Sequence, residues 1–485
     1  MDYFKLKYGL FSDKPDLLNN APFLIKMKER FPGYINRAEK TQMESRLLAR
    51  DIILPKALEL DTKCGKDPSY ADWDLWREIN RRKFTIGYIP EKMGGLGWSG
   101  LESFVFLEEV TAACTGISAF FGFNFFGVIC ALVEFKPGIF LKVIKDMVRA
   151  QQEEKPVFWA WSITEPGAGT DAEDAKAMST MKPSANAEKV SGGYVINGTK
   201  QFCSNGSLAH HLVVTLCTDR SRPLETMATF YLPADKKGFS IGKIERKCGQ
   251  KASQTAELVF DNAFIPDEDV WEEPGRGLRH TREILSVTRG IIGMLGLGIA
   301  RGALERCIQY AHQKKRNGRR LIEENWVQIA IADMHKDIMN LRSRCYDFAI
   351  ALDTIHVLKL FENRPVRTAL KIVPGRVIMS ESLYALAKSS QISKLAKKLK
   401  DSIVTEERME HCANMGSGLK VAGTDLAMSV TSRVLDIVGI EGMAYKYGIE
   451  KSFRDAKGAQ IYEGTNQANR IDLFHHEIAK EIGLC

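Results

Sequence analysis

The sequence lacks the cysteine pairs that build metal sites and disulfide frameworks. Its ten cysteines are scattered, and no Cys-x-x-Cys pair occurs among them. A metal site or a disulfide-stabilised fold is therefore disfavoured, and reduced thiols in a cytoplasm are the simpler interpretation. The first residues, Met1 to Lys5, also lack an apolar signal core, so we expect a cytoplasmic protein that is not exported.

Charge is absent from one long segment. No charged residue occurs from Val110 to Val133, which is long enough in principle to span a bilayer. Three glycines, Asn124 and two threonines interrupt the segment, and Glu108, Glu109 and Glu134 flank it closely. A buried helix or helix pair is the favoured interpretation, so we expect no membrane span.

The composition is that of a globular protein with more than one core. A chain of 485 residues predicts two or three domains, and 45% hydrophobic with 26% charged residues is typical of globular proteins. The net charge of +8 is a modest excess. A positive charge would favour binding of an anionic ligand, an acidic protein partner or nucleic acid. The net charge alone does not distinguish among these, or between them and an ordinary solvated surface.

Periodicity divides the chain into three regions, which we predict to be domains. Residues 1–155 and 279–485 have the three-to-four spacing of helices, whereas residues 156–278 alternate as strands do. The run from Val190 to Lys200 is typical of a hairpin. Further strands are expected at Leu212–Leu216 and Ala228–Leu232, and a third at Glu257–Phe260, ending at an Asp261-Asn262 turn.

Four glycines lie within one predicted helix of the third region, at positions 293, 296, 298 and 302. Each costs about 1 kcal/mol relative to alanine, so close helix packing is expected to compensate. No strand precedes them and their spacing does not fit the dinucleotide fingerprint, so they are not a phosphate-binding loop.

Two separated motifs carry a family resemblance. Trp161-Ser162-Ile163-Thr164-Glu165-Pro166-Gly167-Ala168-Gly169-Thr170-Asp171 is followed almost 300 residues later by Tyr462-Glu463-Gly464-Thr465-Asn466. In this order they resemble the two signatures of the acyl-CoA dehydrogenase family of FAD flavoenzymes, over about residues 80–478. The resemblance implies a multidomain α+β fold: an N-terminal α-helical domain, a middle β-barrel-like domain and a C-terminal four-helix-bundle domain.

The implied reaction is α,β-dehydrogenation of an acyl-CoA thioester to the 2-enoyl-CoA. Glu463 would take the α-proton while hydride passes from Cβ to flavin N5. The α-proton is too weakly acidic for a free carboxylate, so donors must stabilise the enolate-like oxygen and water must be excluded. The resemblance supplies the backbone N–H of Glu463 as one donor. Some family branches carry the base on an earlier helix, but the equivalent residue here, Thr288, cannot serve.

The resemblance also implies the ligand contacts. The flavin would contact Trp161, Ile163, Thr164, Phe202, Cys203 and Ser204, and the adenine-side phosphates Thr465 and Gln467. The substrate would contact Thr170, Arg289 and Gly464, although a structural ion pair is an equal alternative for Arg289. In the family the acyl cavity ends at a helix that aligns with Gly116–Gly127. Its phenylalanines would narrow a channel or simply pack the core.

The sequence departs from the family where a neighbouring subunit usually holds the flavin pyrophosphate. The residues that the resemblance implies as cofactor-binding there are Lys314, Asn325, Asp436 and Gly439. Of these, Gly439 keeps the family residue, whereas the other three depart from it, as does the neighbouring Asn317. Lysine at 314 replaces an arginine and binds phosphate without the bidentate fork, while Asp436 would repel it. We therefore expect the adenosine half of FAD to be held differently, with Arg316 or Arg319 as candidate substitutes.

An insertion at about 355–415 has no counterpart in the family core. Its Lys388–Lys400 stretch carries five lysines and no acid. We expect Ile392, Leu395 and Leu399 to be buried against the C-terminal helices, and the lysines at 394, 397, 398 and 400 to face water. A solvated structural helix is the simpler interpretation, and a docking surface for an acidic partner or lipid is the alternative.

Three functions fit the resemblance. The first is an acyl-CoA dehydrogenase, a homotetramer that passes electrons to an electron-transfer flavoprotein. The second is a DNA-associated alkylation-response flavoprotein of the same fold. However, the extra lysines lie inside the chain without interleaved aromatics, so no nucleic acid is expected. The third is an acyl-CoA oxidase, although such chains usually carry a further C-terminal helical domain.

Overall fold

The computed structural model describes residues 15–134, 136–169, 182–356, 358–479 and 481–484. Helices precede and follow one sheet. The first helices are α1 (Leu17–Asn20), α2 (Phe23–Arg30), α3 (Pro32–Leu48), α4 (Leu54–Lys66), α5 (Trp73–Arg81), α6 (Gly100–Ala113), α7 (Thr115–Glu134) and α8 (Pro137–Gln152). A capping box, in which Ser99 and Glu102 satisfy each other's backbone N–H groups, begins α6.

The strands are β1 (Trp159–Ser162), β2 (Asn186–Val190), β3 (Gly193–Ser204), β4 (His211–Cys217), β5 (Met227–Pro233), β6 (Phe239–Ile244), β7 (Thr255–Pro266) and β8 (Val270–Glu272), with the short helix α9 (Pro223–Thr226) between β4 and β5. Their order is β6-β7-β3-β2-β4-β5-β8, and β1 pairs with β4 in parallel. Among the described residues this order has two open ends, so the middle β region is a sheet and not a closed barrel.

The predicted hairpin and the strands at 212–216 and 228–232 are confirmed. The turn expected at Asp261-Asn262 is wrong, because β7 continues through it to Pro266. Asn262 has a φ of 53°, and its backbone N–H donates to Asn197 Oδ1 at 2.8 Å. The asparagine therefore supports an irregularity within the ladder, where left-handed backbone is accommodated without ending the strand.

The C-terminal helices are α10 (Gly277–Gln313), α11 (Asn325–Ile355), α12 (Lys359–Glu362), α13 (Arg364–Ile372), α14 (Gly375–Ile378), α15 (Glu381–Ala387), α16 (Ser390–Ile403), α17 (Glu406–Gly442), α18 (Ile449–Ala459) and α19 (Asn466–Leu473). A two-stranded turn, β9 (Lys315–Arg316) and β10 (Arg319–Arg320), joins α10 to α11. Helices α10, α11, α17 and α18 pack together as a bundle.

Glycines let the two longest helices touch, as the sequence predicts. A Cβ on Gly293 would lie 2.7 Å from the Leu419 carbonyl oxygen, and one on Gly296 would lie 2.3 Å from the backbone of Gly423. Both contacts join α10 to α17. Because α10 carries Thr288 and α17 carries Lys420, this close approach fixes two helices that border the site described below.

Within the part of the chain that the structure describes, two helices, α7 and α10, are long and apolar enough to cross a membrane by length and composition alone. The most apolar 18-residue stretch of α7 is 94% buried inside the protein, and that of α10 is 100% buried. Such burial is that of core helices, in agreement with the buried helix or helix pair expected for Val110–Val133, which the structure divides between α6 and α7.

The insertion folds as α12 to α16, but the orientation expected for α16 is partly wrong. Leu395 is 67% exposed and Lys400 is only 5% exposed. Lys400 Nζ donates to Glu283 Oε2 at 2.9 Å, and Lys397 Nζ lies 3.8 Å from Glu272 Oε2. Lysines therefore turn inward because the core presents buried carboxylates there, which the amphipathic pattern of α16 alone cannot reveal.

The rest of the expectation for α16 is met in part. Ile392 and Leu399 are half-buried, and α16 packs against α8 as well as its neighbours in the insertion. Lys394 and Lys398 are exposed, as expected. Of the four lysines expected to face water, these two remain as candidates for the docking surface, which stays a hypothesis.

Candidate active site

A pocket of about 330 Å³ lies where α7, β1, β3 and the loop before α19 meet. It brings together the predicted residues Trp161, Ile163, Thr164, Phe202, Cys203, Ser204, Glu463, Gly464 and Thr465. Phe123 and Phe126 of α7 and Tyr462 complete an aromatic wall, in which the Phe123 and Tyr462 ring centroids are 5.5 Å apart. The two separated motifs thus meet at one site.

The loop before α19, which carries Glu463, has an unusual backbone conformation. Glu463 and Gly464 have φ angles of 57° and 75°, in the left-handed region that non-glycine residues rarely adopt. The Glu463 carboxylate accepts a hydrogen bond from Thr288 Oγ1 at 2.6 Å. The Thr288 hydroxyl therefore orients the Glu463 carboxylate.

A buried lysine lies beneath this loop. Lys420 of α17 is fully buried, and its Nζ donates to Gly464 O and Asn466 Oδ1 at 2.6 Å each and to Gln460 O at 3.2 Å. From the other side, Asn469 Nδ2 donates to the carbonyl oxygens of residues 463, 464 and 465 at 3.0–3.3 Å. Two side chains on separate helices thus hold the strained loop in place.

The sheet positions the residues on the opposite wall. Trp161 Nε1 donates to Thr215 Oγ1 at 3.1 Å across the β1–β4 pair. In β3 the register with β7 shifts between Lys200 and Cys203, and Phe202 there has a φ of 54°. This irregularity presents the Phe202 ring to the pocket rim, where it is 58% exposed. A flat ring exposed at a pocket rim is suited to stacking on a planar ligand.

A buried ion pair holds the backbone on either side of Thr164. Lys200 Nζ donates to Ile163 O and to Glu165 Oε1 at 2.7 Å each. Glu165 Oε2 also accepts from the backbone N–H groups of Ser184 and Ala185 at 2.5 and 3.0 Å. Burial lowers the pKa of Lys200, and the adjacent Glu165 opposes that change. The pair thereby fixes the backbone at Ile163 and Glu165, on either side of the pocket residue Thr164, and joins Glu165 to Ser184 and Ala185.

The residues fit FAD. A second hollow, of about 230 Å³, shares Ile461 and Thr465 with the first and contains Gln467. Thr465 caps α19 by accepting from Ala468 N–H, which leaves a helix N-terminus directed at the hollow. An aromatic pocket for a flat ring, adjoining a helix N-terminus suited to phosphate, matches the two halves of a flavin dinucleotide.

Four predicted cofactor residues lie far from this pocket within the chain. Lys314 follows the end of α10, and 25 residues of that helix separate Thr288 from Gln313, about 38 Å at 1.5 Å per residue. Lys314 pairs there with Glu441. The other three are also placed at the ends of bundle helices: Asn325 begins α11, and Asp436 and Gly439 lie near the end of α17. One chain does not bring these four to its own pocket.

Arg289, one of the predicted substrate residues, is not placed at the pocket either. Arg289 Nη1 donates to Ser417 Oγ at 2.9 Å and pairs with Asp472 at 2.7 Å, an arrangement that ties α10 to α17 and α19. The geometry favours the structural ion pair among the two alternatives for Arg289. Thr170 lies outside the described residues.

Reasoning from the sequence missed four residues of the site, which are Lys420, Asn469, Lys200 and Glu165. Lys420 lies in a helix that also contains exposed charged residues, so its composition gives no sign of burial. A signal for Glu165 was present, since it lies inside the first motif. Residues that hold a loop through its backbone leave no sequence pattern of their own.

Family models match most of the chain, including both motifs that meet at the pocket. Models of the acyl-CoA dehydrogenase N-terminal, middle and C-terminal domains match residues 37–135, 160–263, and 275–377 with 387–476. Cyclohex-1-ene-1-carbonyl-CoA dehydrogenase of Syntrophus aciditrophicus is 26% identical over 438 residues, 90% of this chain and 89% of that protein. Mitochondrial isovaleryl-CoA dehydrogenase of Arabidopsis thaliana is 30% identical over 301 residues, 62% of this chain and 70% of that protein.

Solved structures show the same fold. A chain from the work on the electron transferring flavoprotein of Acidaminococcus fermentans has a TM-score of 0.71 and 25% identity, covering 91% of this chain and 97% of its own. Butyryl-CoA dehydrogenase of Megasphaera elsdenii has a TM-score of 0.70 and 24% identity, covering 90% of this chain and 97% of its own.

Proposed function

Because the chain belongs to the acyl-CoA dehydrogenase family and is an FAD-dependent oxidoreductase of that class, we propose that it converts an acyl-CoA to the 2-enoyl-CoA with Glu463 as the base. The observation that carries the proposal is the meeting of Glu463 with Trp161, Thr164 and Phe202 at one pocket. When bound, FAD supplies the acceptor for the electron pair that leaves Cβ.

The residues of the chain bind the thioester, remove the α-proton and exclude water. The thioester lies between Glu463 and the ring-binding wall, with its oxygen at the backbone N–H of residue 463, so the α-proton becomes more acidic. The Glu463 carboxylate takes that proton at an oxygen, and the Thr288 hydroxyl, 2.6 Å from Oε2, holds the carboxylate in position. Phe123, Phe126 and Tyr462 exclude water, which strengthens both interactions.

A flavin-bleaching screen tests the reaction. The purified protein is expected to be yellow, with one non-covalent FAD per chain, and to lose its flavin absorbance when mixed anaerobically with a suitable acyl-CoA. Acyl-CoAs of four to sixteen carbons and branched or ring-containing thioesters form the panel. A colourless protein that takes up no FAD, or a flavin that no thioester reduces, contradicts the proposal.

Glu463→Gln tests the base. The amide keeps the size of the side chain and can still accept from Thr288, but it lacks basicity. We expect FAD content and acyl-CoA binding to persist while flavin reduction slows by on the order of 10³ or more, measured by stopped-flow absorbance. Reduction within tenfold of the wild type would mean that another group takes the proton.

A homotetramer explains the distant residues. Lys314, Asn325, Asp436 and Gly439 are placed too far from their own pocket to touch its ligand, so we propose that they contribute to the pocket of a second copy in a closed assembly. Light scattering measures the mass directly. A monomer that retains FAD would exclude the cross-subunit role of Lys314.

Electrons are proposed to pass to an electron-transfer flavoprotein in the cytoplasm. Oxygen as the acceptor would instead indicate an acyl-CoA oxidase, and an oxygen-versus-flavoprotein acceptor assay on the reduced enzyme separates the two. DNA association, the property of the alkylation-response alternative, would appear as salt-dependent retention on duplex DNA. Three domains divided at 155/156 and 278/279 remain part of the proposal.

A further inference from the structure

A cleft of about 710 Å³ separates the insertion from helix α8. Its walls come from α8, from the turn Glu91–Met93, and from α14, α15 and Met379 between them. Among the described residues, none borders both this cleft and the pocket that contains Glu463. Its volume lies within the range of about 300–1,000 Å³ that is usual for sites of small organic molecules. No step of the proposed reaction uses this space.

The insertion carries most of the positive charge of the chain. Its helices, residues 359–403, contain ten lysines and arginines but only three acids, which is a net charge of +7, and the whole chain has a net charge of +8. The rest of the chain is therefore close to neutral. A local excess of this size raises the concentration of anions near the insertion.

The insertion and the core make contact beside the cleft. A Cβ on Gly375 would lie 2.0 Å from the Lys92 carbonyl oxygen, so a residue with a side chain could not make this approach. Lys145 of α8 pairs with Glu381 of α15, and its ammonium group lies 5.3 Å from the centre of the Tyr384 ring. Because these contacts join the two walls, the cleft is formed before any ligand enters it.

Three cations of the lining have no acidic partner within 4.0 Å among the described residues: Lys92, Lys142 and Arg376. Lys92 and Arg376 are exposed. Lys142 is half-buried, and its ammonium group lies 4.3 Å from the centre of the Tyr231 ring. One belongs to the turn, one to α8 and one to the insertion, so positive charge borders the cleft on each of its walls.

Each acid of the lining already has a cationic partner. The pairs are Glu381 with Lys145, Asp146 with Arg149 at 3.4 Å, and Glu91 with Arg37, which lies outside the lining, at 3.3 Å. Since these charges cancel in pairs, the three cations without an acidic partner set the electrostatic potential of the cleft, which is positive.

Apolar and aromatic side chains complete the lining. Met93 and Val148 are buried, and Met379 and Tyr384 are half-buried. A ligand that fits both kinds of group combines an anionic part with an apolar or planar part. A diphosphate ester carries roughly three negative charges at pH 7, which three cations match.

We propose that this cleft binds an organic diphosphate. Lys92, Lys142 and Arg376 bind the phosphate oxygens, and the planar guanidinium of Arg376 suits them with parallel N–H groups. The organic part lies against Val148 and Tyr384. The site is built by the insertion and shares no described residue with the pocket that contains Glu463, so it does not depend on the proposed function.

Calorimetry with the FAD-loaded protein tests the site. The probes are GDP and geranyl diphosphate, which share the diphosphate and differ in the organic part. Neither contains adenine, so neither is a fragment of FAD or of CoA. We expect at least one of them to bind with a Kd below about 1 mM, and more weakly as salt is raised. The tighter probe identifies the organic part as a nucleoside or an isoprenoid.

Two variants and a matched control locate the binding. Arg376→Gln and Lys92→Gln each remove an exposed cation that has no acidic partner, so the fold and the flavin absorbance should persist. Each is expected to weaken binding of the tighter probe about tenfold, because a hydrogen bond to a charged group is lost. Lys394→Gln makes the same change at an exposed lysine of α16 outside the lining, and it should leave the affinity unchanged.

Three results would overturn the inference. They are no binding of either probe at about 1 mM, an affinity that both cleft variants leave unchanged, and an equal loss of affinity in Lys394→Gln. Failure of the proposed function is distinguishable from these, since a flavin that no thioester reduces would leave diphosphate binding intact.

Discussion

Replacing Lys420 by methionine removes a buried ammonium group from beneath the loop that carries Glu463 and keeps the length of the side chain. Three hydrogen bonds are lost, to Gly464 O, Asn466 Oδ1 and Gln460 O. Gly464 O and Gln460 O each keep a second donor, Asn469 Nδ2 and the Asn466 backbone N–H respectively. Asn466 Oδ1 keeps only the Thr424 hydroxyl, which also donates to the Lys420 carbonyl. Two of the three acceptors thus stay paired, which limits the loss of stability.

The size of the effect follows from these contacts. Hydrogen bonds to a charged group are worth about 1.5–3 kcal/mol each, but the retained partners offset part of the loss. We expect the free energy of unfolding to fall by about 3 kcal/mol. The loop itself, with left-handed backbone at residues 463 and 464, then has one restraint fewer. A displacement of about 1 Å at the base lowers the rate by on the order of 10²-fold.

Stopped-flow flavin reduction at saturating acyl-CoA measures the rate, and denaturant unfolding measures the stability. The expected result for Lys420→Met is a fall of about 10²-fold in the reduction rate with FAD still bound. Lys398→Met, the same change at an exposed lysine of α16, is the matched control and should change neither quantity. If the reduction rate of folded Lys420→Met stays within threefold of the wild type, the loop does not depend on this lysine.

Two further predictions concern side chains on the bundle helices. Thr288→Val removes the hydroxyl that donates to Glu463, and flavin reduction should slow by about tenfold with little change in substrate affinity. Thr288→Ser should restore the rate, and full activity of the valine variant would exclude a positioning role. On acidification from pH 7 to pH 4.5, the free energy of unfolding of Asp353→Asn should fall by about 2 kcal/mol relative to that of the wild type. Denaturant unfolding at both pH values measures this difference.

Motifs revealed the active site in part because they encode local backbone requirements. The order of helical, β and helical regions follows from periodicity, and the two motifs supply nine of the pocket residues once the chain folds. Glu463 and Gly464 lie together in sequence, so their joint role is visible there. The glycines of α10 also predicted a close contact between helices, which the structure confirms at Gly293 and Gly296.

What the sequence could not reveal depends on partners distant along the chain. Lys420 and Lys400 are both buried against acceptors far away in the sequence, at residue 464 and residue 283. A helical lysine is ordinarily solvated, so pattern alone assigned Lys400 to the surface and Leu395 to the core. The buried carboxylates of the core reversed that assignment, since pairing them outweighs burying one more leucine.

Asp353 shows how such distant contacts set a pH dependence. Its carboxylate joins α11 to the start of α6 and to α3, accepting from Gly100 N–H at 2.7 Å and from the Tyr34 hydroxyl at 2.6 Å. Burial raises its pKa to about 6, although the hydrogen bonds favour the charged form.

In the unfolded chain this carboxyl has an ordinary pKa of about 3.9. Between the two values the folded state therefore binds the extra proton, so the wild type gains stability as pH falls from about 6 to 4 and loses it again as pH rises. Asparagine cannot titrate, so Asp353→Asn lacks that gain. At pH 4.5 the difference is about 1.5 pKa units, or about 2 kcal/mol. A stability difference between variant and wild type that is the same at pH 7 and pH 4.5 would show that Asp353 has an ordinary pKa in the folded protein.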